Sequence, residues 1–358
     1  MAYGTINADV IQSSVTGVSL GAGNATRFKN RIINGDMRIN QRGASGTVVT
    51  GAYQVDRFKC FLDTSPLTLT FAQSSTAPAG FSNSAQFTVT SAGTVTSGQG
   101  NTFLQIIEGF NTADLGFGTA NAKTVTLSFW VQSSVTGTFG GSLTNGTNTR
   151  SYPFTYTISS ANTWTQASVT IAGDTSGTWV GSTNAAAMNV WFSFGTGSTL
   201  SGTAGSWASA NYISATGATN IIGTAGATFY ITGVQLEVGS SATGFEYVDY
   251  TTQLAMCQRY FQKYVSPHIT GVCATSSAAS RVGGLFPVVM RADPTTSLAG
   301  TINIFDGSGA AAISSINVSY CTTQVIEFDF VTAASLVPYR PAILYVQTGG
   351  SLSFSAEL

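Results

Sequence analysis

Few residues in this chain can trade protons or hold a metal. Its 358 residues include one histidine, His268. Any Ser-His-Asp or Cys-His relay must run through it, and a metal site needing two imidazoles is excluded. His268 follows Pro267 in an expected loop, and Cys273, five residues on, has no oriented acidic partner in the segment. A surface or packed histidine is the simpler reading. The 15 carboxylates leave a carboxylate pair as the other route to cleaving a glycan. Asp56, Glu108, Asp114 and Asp174 belong to the earlier part of the chain. Glu108 lies in Ile107-Glu-Gly-Phe-Asn111, an apolar setting that would raise its pKa. The plainer alternative is a buried glutamate paired with an arginine such as Arg57. Glu237 and Glu246 flank residues 239–244 and could chelate a structural calcium ion together with carbonyls, or simply brace a turn against arginines.

Binding by stacking needs flat rings rather than charges. Tyr53, Trp179, Trp207 and Tyr212 fall in expected loops, where a ring face would suit the apolar face of a pyranose; for each, core packing is the alternative. Cations are unevenly placed. Arg27, Lys29, Arg31, Arg38, Arg42, Arg57 and Lys59 all precede residue 60, half of the 14 basic residues. They read as a surface for an anion such as an acidic polysaccharide, as an attachment patch for another protein, with Arg27, Lys29 and Arg31 nearest the start, or as partners of Asp36, Asp56 and Asp63. Cys60, Cys257, Cys273 and Cys321 form no Cys-x-x-Cys pair and fit no zinc spacing, so free thiols are expected.

The elements that must position these groups are strands. Charged residues are 8% of the chain against 43% hydrophobic and 11% aromatic, with 40 glycines. Disordered chains lack such core material, and helical bundles need more Leu, Glu and Lys. A formal net charge of -1 argues against a nucleic-acid partner. No apolar run reaches the ~18 residues of a membrane helix, so no membrane insertion is expected, and the opening residues have no secretory pattern. Period-two alternation recurs in Leu67-Thr-Leu-Thr-Phe71, Ala85-Gln-Phe-Thr-Val89, Val125-Thr-Leu-Ser-Phe-Trp-Val131, Tyr152-Pro-Phe-Thr-Tyr-Thr-Ile158, Ala167-Ser-Val-Thr-Ile171, Met188-Asn-Val-Trp-Phe-Ser-Phe194 and Thr228-Phe-Tyr-Ile-Thr-Gly-Val-Gln-Leu236. One stretch, residues 251–261, reads as a helix, with Thr251 placed to cap it. Strands resume after it at residues 285–289, 313–319, 325–331, 342–346 and 352–358. The expected organisation is all-β: a short N-terminal arm over 1–30, a jelly-roll β-sandwich over 31–250, and a smaller C-terminal β-sandwich over 251–358 behind a short helix.

An ordered series of motifs also carries a resemblance. It opens with Lys29-Asn-Arg-Ile-Ile-Asn-Gly-Asp-Met-Arg-Ile-Asn-Gln-Arg42 and Tyr53-Gln-Val-Asp-Arg-Phe58. It continues through Ile107-Glu-Gly-Phe-Asn111, Leu115-Gly-Phe-Gly118, Phe139-Gly-Gly-Ser142, Arg150-Ser-Tyr-Pro-Phe154 and Gly173-Asp-Thr-Ser-Gly-Thr-Trp179. Phe229-Tyr-Ile-Thr-Gly-Val-Gln-Leu-Glu237, Phe245-Glu246, Cys257-Gln-Arg-Tyr-Phe-Gln-Lys263, Phe286-Pro-Val-Val-Met-Arg291 and Ser355-Ala-Glu-Leu358 complete it. Together they resemble a family of bacteriophage virion proteins found in tail fibres and related appendages. Their first domain is similar to carbohydrate-binding jelly rolls.

The resemblance implies a structural protein on the virion surface, a homotrimer whose arm docks on other phage tail or capsid proteins and whose body contacts host surface polysaccharide. Where the carbohydrate-binding modules often carry an acidic residue that helps hold calcium, this chain has Thr232-Gly233. No cofactor beyond such an ion and no enzymatic activity are expected. A capsid decoration or head-fibre protein is the alternative. A glycan depolymerase acting through Glu108 is the third reading, although the long repeats of a β-helix are missing.

Overall fold

A computed structural model describes residues 29–358, apart from 266–267, 274–278, 301, 308–309, 333–335 and 347–349. The expected arm, except for Lys29 and Asn30, lies outside the described residues, as does Arg27. Ahead of the helix run β1 (Gly46–Thr47), β2 (Tyr53–Val55), β3 (Phe58–Leu62), β4 (Thr68–Ser74), β5 (Ser84–Ser91), β6 (Gly100–Glu108) and β7 (Val125–Ser133). Then come β8 (Gly137–Asn145), β9 (Ser151–Ile158), β10 (Thr165–Ile171), β11 (Ala186–Thr196), β12 (Ser201–Gly202), β13 (Ser214–Ala215) and β14 (Thr228–Val238). Two six-stranded antiparallel sheets form a sandwich, in the orders β1-β4-β5-β14-β7-β10 and β2-β3-β6-β11-β8-β9.

Alternation decides which side chains fill it. Val125, Leu127, Phe129 and Val131 of β7 face inward, as do Met188, Val190, Phe192 and Phe194 of β11. Rings join the two sheets: Phe87 meets Phe103 and Phe194 at 4.9 Å each, Phe129 meets Phe192 at 5.0 Å, and Phe139 meets Phe229 at 5.9 Å. The parity of β14 changes midway. Phe229 and Ile231 are buried, and then Val234 and Leu236. A bulge between Thr232 and Gln235 inserts the extra residue, with Gly233 at φ 63, so both halves of the strand keep their apolar side on the core.

The opening motif is pressed onto that bulge. Val234 N donates to Gly35 O (2.9 Å). Asn30 Oδ1 accepts from Ile32 N and Leu236 N, both at 3.0 Å. The Asn34 amide closes on Ile39 N and O, 2.9 Å each, and on Asp56 O (3.0 Å). The Gln105 amide holds Ile33 at both its N and its O. Short polar side chains thus satisfy a buried irregular segment that has no sheet partner.

After Asp249, whose carboxylate rather than Thr251 caps the helix by accepting from Thr252 N (3.0 Å), the chain forms α1 (Tyr250–Gln258). Nine strands follow: β15 (Phe261–Val265), β16 (His268–Cys273), β17 (Ala279–Leu285), β18 (Thr295–Ala299), β19 (Ile302–Phe305), β20 (Ala310–Cys321), β21 (Val325–Thr332), β22 (Pro341–Val346) and β23 (Ser351–Ser355). They are not arranged as a second sandwich. β15-β23-β18 make a small sheet and β16-β17-β21-β20-β19-β22 close into a barrel. Register shifts between Ile313 and Ser315 and between Val318 and Tyr320 bend the long β20, which lets one strand serve two neighbours around a curve. Closure leaves this set of strands without free edges. Residues 286–289, expected to be strand, follow β17 instead, and His268 opens a strand rather than lying in a loop.

A methyl group on Gly35 would lie 2.0 Å from Val234 O, whereas one on Gly181 would meet nothing within 4 Å. Gly35→Ala is therefore expected to cost at least about 2 kcal/mol and Gly181→Ala close to nothing. Urea unfolding of the two variants beside the wild type checks this, and equal midpoints would refute it.

Candidate functional site

Motifs far apart in sequence meet where the sandwich joins the C-terminal strands. The Arg57 guanidinium, fully buried, pairs with the Glu357 carboxylate, donates to Ile106 O (2.6 Å) and lies 3.5 Å above the Tyr260 ring. Arg42 bridges Glu357 (3.1 Å) and Asp56 (3.4 Å) and covers the Phe261 ring at 3.6 Å. Arg291 ties down the same tail, donating to Ala356 O (2.6 Å) and Glu357 O (3.0 Å). Glu108 belongs here too. Its carboxylate takes Arg259 Nη2 at 2.5 Å, Arg259 Nε at 3.1 Å and the Tyr260 hydroxyl at 2.6 Å. The expected partner, Arg57, is committed to Glu357 instead, because the chain returns at residues 355–358 to the edge where Arg57 sits. Tyr53, expected as a sugar platform, donates its hydroxyl to Leu358 O (2.8 Å) and has the Arg42 guanidinium 4.8 Å from its ring. It belongs to this joint.

The tryptophans are gathered elsewhere. Trp179 and Trp207 stand edge to face, 5.6 Å apart at 89°, with Phe117 against both (4.8 and 5.9 Å) and Tyr152 against Trp207 (5.3 Å). Both indoles are half-buried. Arg150 and Asp174 set the corner. Asp174 receives Arg150 Nε and Nη2 at 2.7 Å each, and also Ser176 N (3.1 Å) and Trp179 Nε1 (3.3 Å). Arg150 Nη1 reaches Ser209 (2.7 Å), and Trp207 Nε1 donates to Ala172 O (2.7 Å). With both indole N–H groups spent on the protein, the two rings are held at a fixed angle, partly buried against the sandwich core. The flanking residues 175–178 and 203–206 are exposed. Tyr212 is not in this corner. It packs under Gly202, where a methyl group would strike its ring at 2.2 Å. Phe117, Tyr152 and Arg150 were not singled out from sequence as parts of a site, and Asp174 was considered only as one of a carboxylate pair. The signal was there in two motifs: each of the stretches 150–154 and 173–179 carries a single charge, of opposite sign, in a chain with few.

Glu237 is buried within its own turn, accepting from Gln235 Nε2 (2.9 Å), Thr243 N (2.8 Å) and the Thr243 hydroxyl (2.6 Å). Glu246 accepts from Asn30 N (2.7 Å). A lysine and a threonine, not arginines, brace this turn: Lys29 Nζ donates to the Thr243 hydroxyl and Gly244 O, 2.6 Å each. Arg31 pairs with Asp114 (2.7 Å). Asp36 and Asp56 do take basic partners from the opening cluster, Arg38 and Arg42. Among the described residues no three of His, Cys, Asp and Glu are grouped to hold a metal ion, and none of the four cysteines is in a disulfide.

No family model matches the sequence, and no curated protein is similar to it in sequence. Solved structures are similar to it at a distance. One is the enzymatically active domain of tailspike protein 4 of bacteriophage CBA120, at 14% identity over 59% of this chain and TM-score 0.31; the chain spans 22% of that protein's length. Another is a family 11 carbohydrate-binding module from Clostridium thermocellum, solved with a mixed-linked tetrasaccharide, at 11% identity over 56% of this chain and 99% of the module, TM-score 0.29. A third is the tandem CBM22 domain of a Paenibacillus barcinonensis protein, Xyn10C, at 10% identity over 87% of this chain and 95% of that one, TM-score 0.25.

Burial pushes the Asp56 carboxyl up to about 6, against the pull of Arg42 and a hydrogen bond from Gln41. An aspartate in the unfolded chain titrates near 3.8. Between those values the folded state holds the proton that the unfolded state has lost, so stability falls as pH rises through the window. The full deficit, about 3 kcal/mol at ~1.4 kcal/mol per unit, is present above pH ~6. Asp56→Asn should flatten the dependence of unfolding free energy on pH between 4 and 7. Identical slopes for variant and wild type would contradict the assignment.

Proposed function

We propose that this chain is a glycan-binding structural protein without catalytic activity, carried on a bacteriophage virion as a homotrimeric tail-fibre appendage that contacts host surface polysaccharide. The observation that carries glycan binding is the Trp179–Trp207 corner: two half-exposed indoles at 89°, locked by their own N–H bonds and bordered by Arg150, Asp174 and Ser209. Ring faces suit the apolar faces of sugars, and the exposed Ser209 hydroxyl at the border can hydrogen-bond a sugar hydroxyl. The virion setting rests on the motif series from Lys29 to Leu358, and the arm before it is the expected attachment to other phage proteins. Weak binding at one corner, repeated over several copies, gives useful avidity.

Self-association is supported by the outer surface of the barrel. Leu285 and Tyr339 are 79% and 84% exposed, and Phe305, Ile343, Val272 and Tyr320 are exposed as well. Phe305 pairs directly with Ile343 across β19 and β22, so their side chains share one face. Val272 joins them on that face across β16 and β22, and exposed apolar residues grouped in this way mark interfaces. Sedimentation equilibrium should give three chains per particle, and Ile343→Lys combined with Tyr339→Ser should release monomers. A monomeric wild type would remove the trimer from this reading.

Glycan binding is tested with purified protein on polysaccharide from the host. Trp179→Ala and Trp207→Ala should each weaken it by roughly 30-fold, the ~2 kcal/mol of a stacking anchor, with melting curves confirming that the fold survives. Unchanged binding in both variants would overturn the site. Immunogold labelling of particles with antibody to residues 251–358 tests the setting. Gold at the tail supports it, and gold spread over the head would replace the appendage with a capsid decoration protein.

A further inference from the structure

A groove over the joint crosses the ring of Tyr247. Cavities of about 440 and 380 Å³ open on its two sides, each in the size range of small-ligand sites. The first runs between the opening segment at Asn30, the linker at Glu246 and Asp249, and α1 at Gln253. The second is lined by Asp36, Arg38 and Phe81.

Tyr247 is 56% exposed and yet held fast. Its hydroxyl donates to Gly80 O (2.7 Å), and its ring packs on Phe245 at 5.0 Å and Phe81 at 5.6 Å. Gly80 adopts φ 91, and a methyl group there would lie 3.2 Å from that hydroxyl, so glycine preserves the anchor. A ring that is exposed and already immobile loses little rotamer freedom when something stacks on it. In the monomer's own packing, an outward tyrosine held this way serves no core.

The polar groups around it favour one kind of ligand. Asp36 is buried, gripped by Arg38 Nε (2.5 Å) and Gln253 Nε2 (2.9 Å). Arg38 is in turn engaged with Val248 O (2.7 Å) and the Gln253 amide. Glu246 and Asp249 add two more carboxylates to the wall. Three acidic groups against one committed guanidinium repel polyanions, and the more accessible two, Glu246 and Asp249, can accept hydrogen bonds from hydroxyls.

We propose that this groove is a second saccharide site, taking an uncharged sugar chain that stacks on Tyr247 and places residues in the cavities on either side. It extends the glycan-binding reading to a different part of the molecule and does not depend on the Trp179 corner. The test uses the full chain on an array of neutral and acidic bacterial oligosaccharides. Tyr247→Ala should lose about tenfold or more in binding to neutral members, while Tyr247→Phe, which keeps the ring, should lose much less, both with unchanged melting. Neutral members should bind better than their acidic counterparts in a Trp179→Ala background, where only this site remains. Full binding by Tyr247→Ala, equal loss in the Phe variant, or a preference for acidic sugars in that background would overturn the proposal and leave the Trp179 corner standing. If the wild type binds nothing on the array, both sites fall.

Discussion

A guanidinium taken wholly out of water is the point on which the molecule turns. Arg57 cannot lose its charge under any ordinary condition, and burying a charge is tolerable only with a partner and well-placed hydrogen bonds. Glu357, Ile106 O and the Tyr260 ring supply them. Removing Glu357 leaves a charge stranded in the interior, a far larger loss than a surface ion pair would bring. Arg57 also sits at φ 73, a left-handed backbone that an arginine adopts at some cost. The tail at Glu357, the strand entry at Tyr260 and the turn at Asp56 have to arrive together for that cost to be met.

This convergence gives physical content to the motif series. Residues 29–42, 53–58, 107–111, 257–263, 286–291 and 355–358 are scattered through the sequence and gathered in the fold. Their common task is to satisfy one buried joint and one buried irregular segment. Asn30, Asn34 and Gln105 act as substitute sheet partners for the backbone, which is a job that depends on side-chain length and leaves little room for exchange.

Period-two alternation found β4, β5, β7, β9, β10, β11 and β14 because core-facing apolar residues alternate along each with mostly polar ones, even in β11, whose other face is also covered. It missed β8, where Gly140 and Gly141 erase the pattern. A side chain at Gly141 would strike Trp191 O at 2.3 Å, so close packing removed the very residue that would have signalled a strand. It missed β6 because both of its faces are covered: Phe103 looks into the core, while Leu104 lies under Leu200 and Ile213 on the other side. The tryptophan corner was half legible. Trp179 and Trp207 stood out as rings in loops, but nothing local says that they meet, since the contact is made by two excursions nearly thirty residues apart. Tyr53 and Tyr212 looked the same in sequence and are placed elsewhere, Tyr53 at the Arg42 joint and Tyr212 against Gly202. The choice among four similar rings is a tertiary matter.

The joint closes late in the life of the chain. Arg57 and Glu357 are 300 residues apart, and a ribosome adds about 5–20 residues per second. The last strand of the sandwich, β14, ends at Val238, so for about 6 to 24 seconds of synthesis the completed sandwich stands with its arginine unanswered and that edge still open to water. An early folded state has to hold this charge solvated, and the compact joint can appear only when the tail emerges. In a cell this timetable gives each copy a long interval in which its first part is exposed to neighbours on the same message. The order of assembly is thus written into the distance between one cation and one anion.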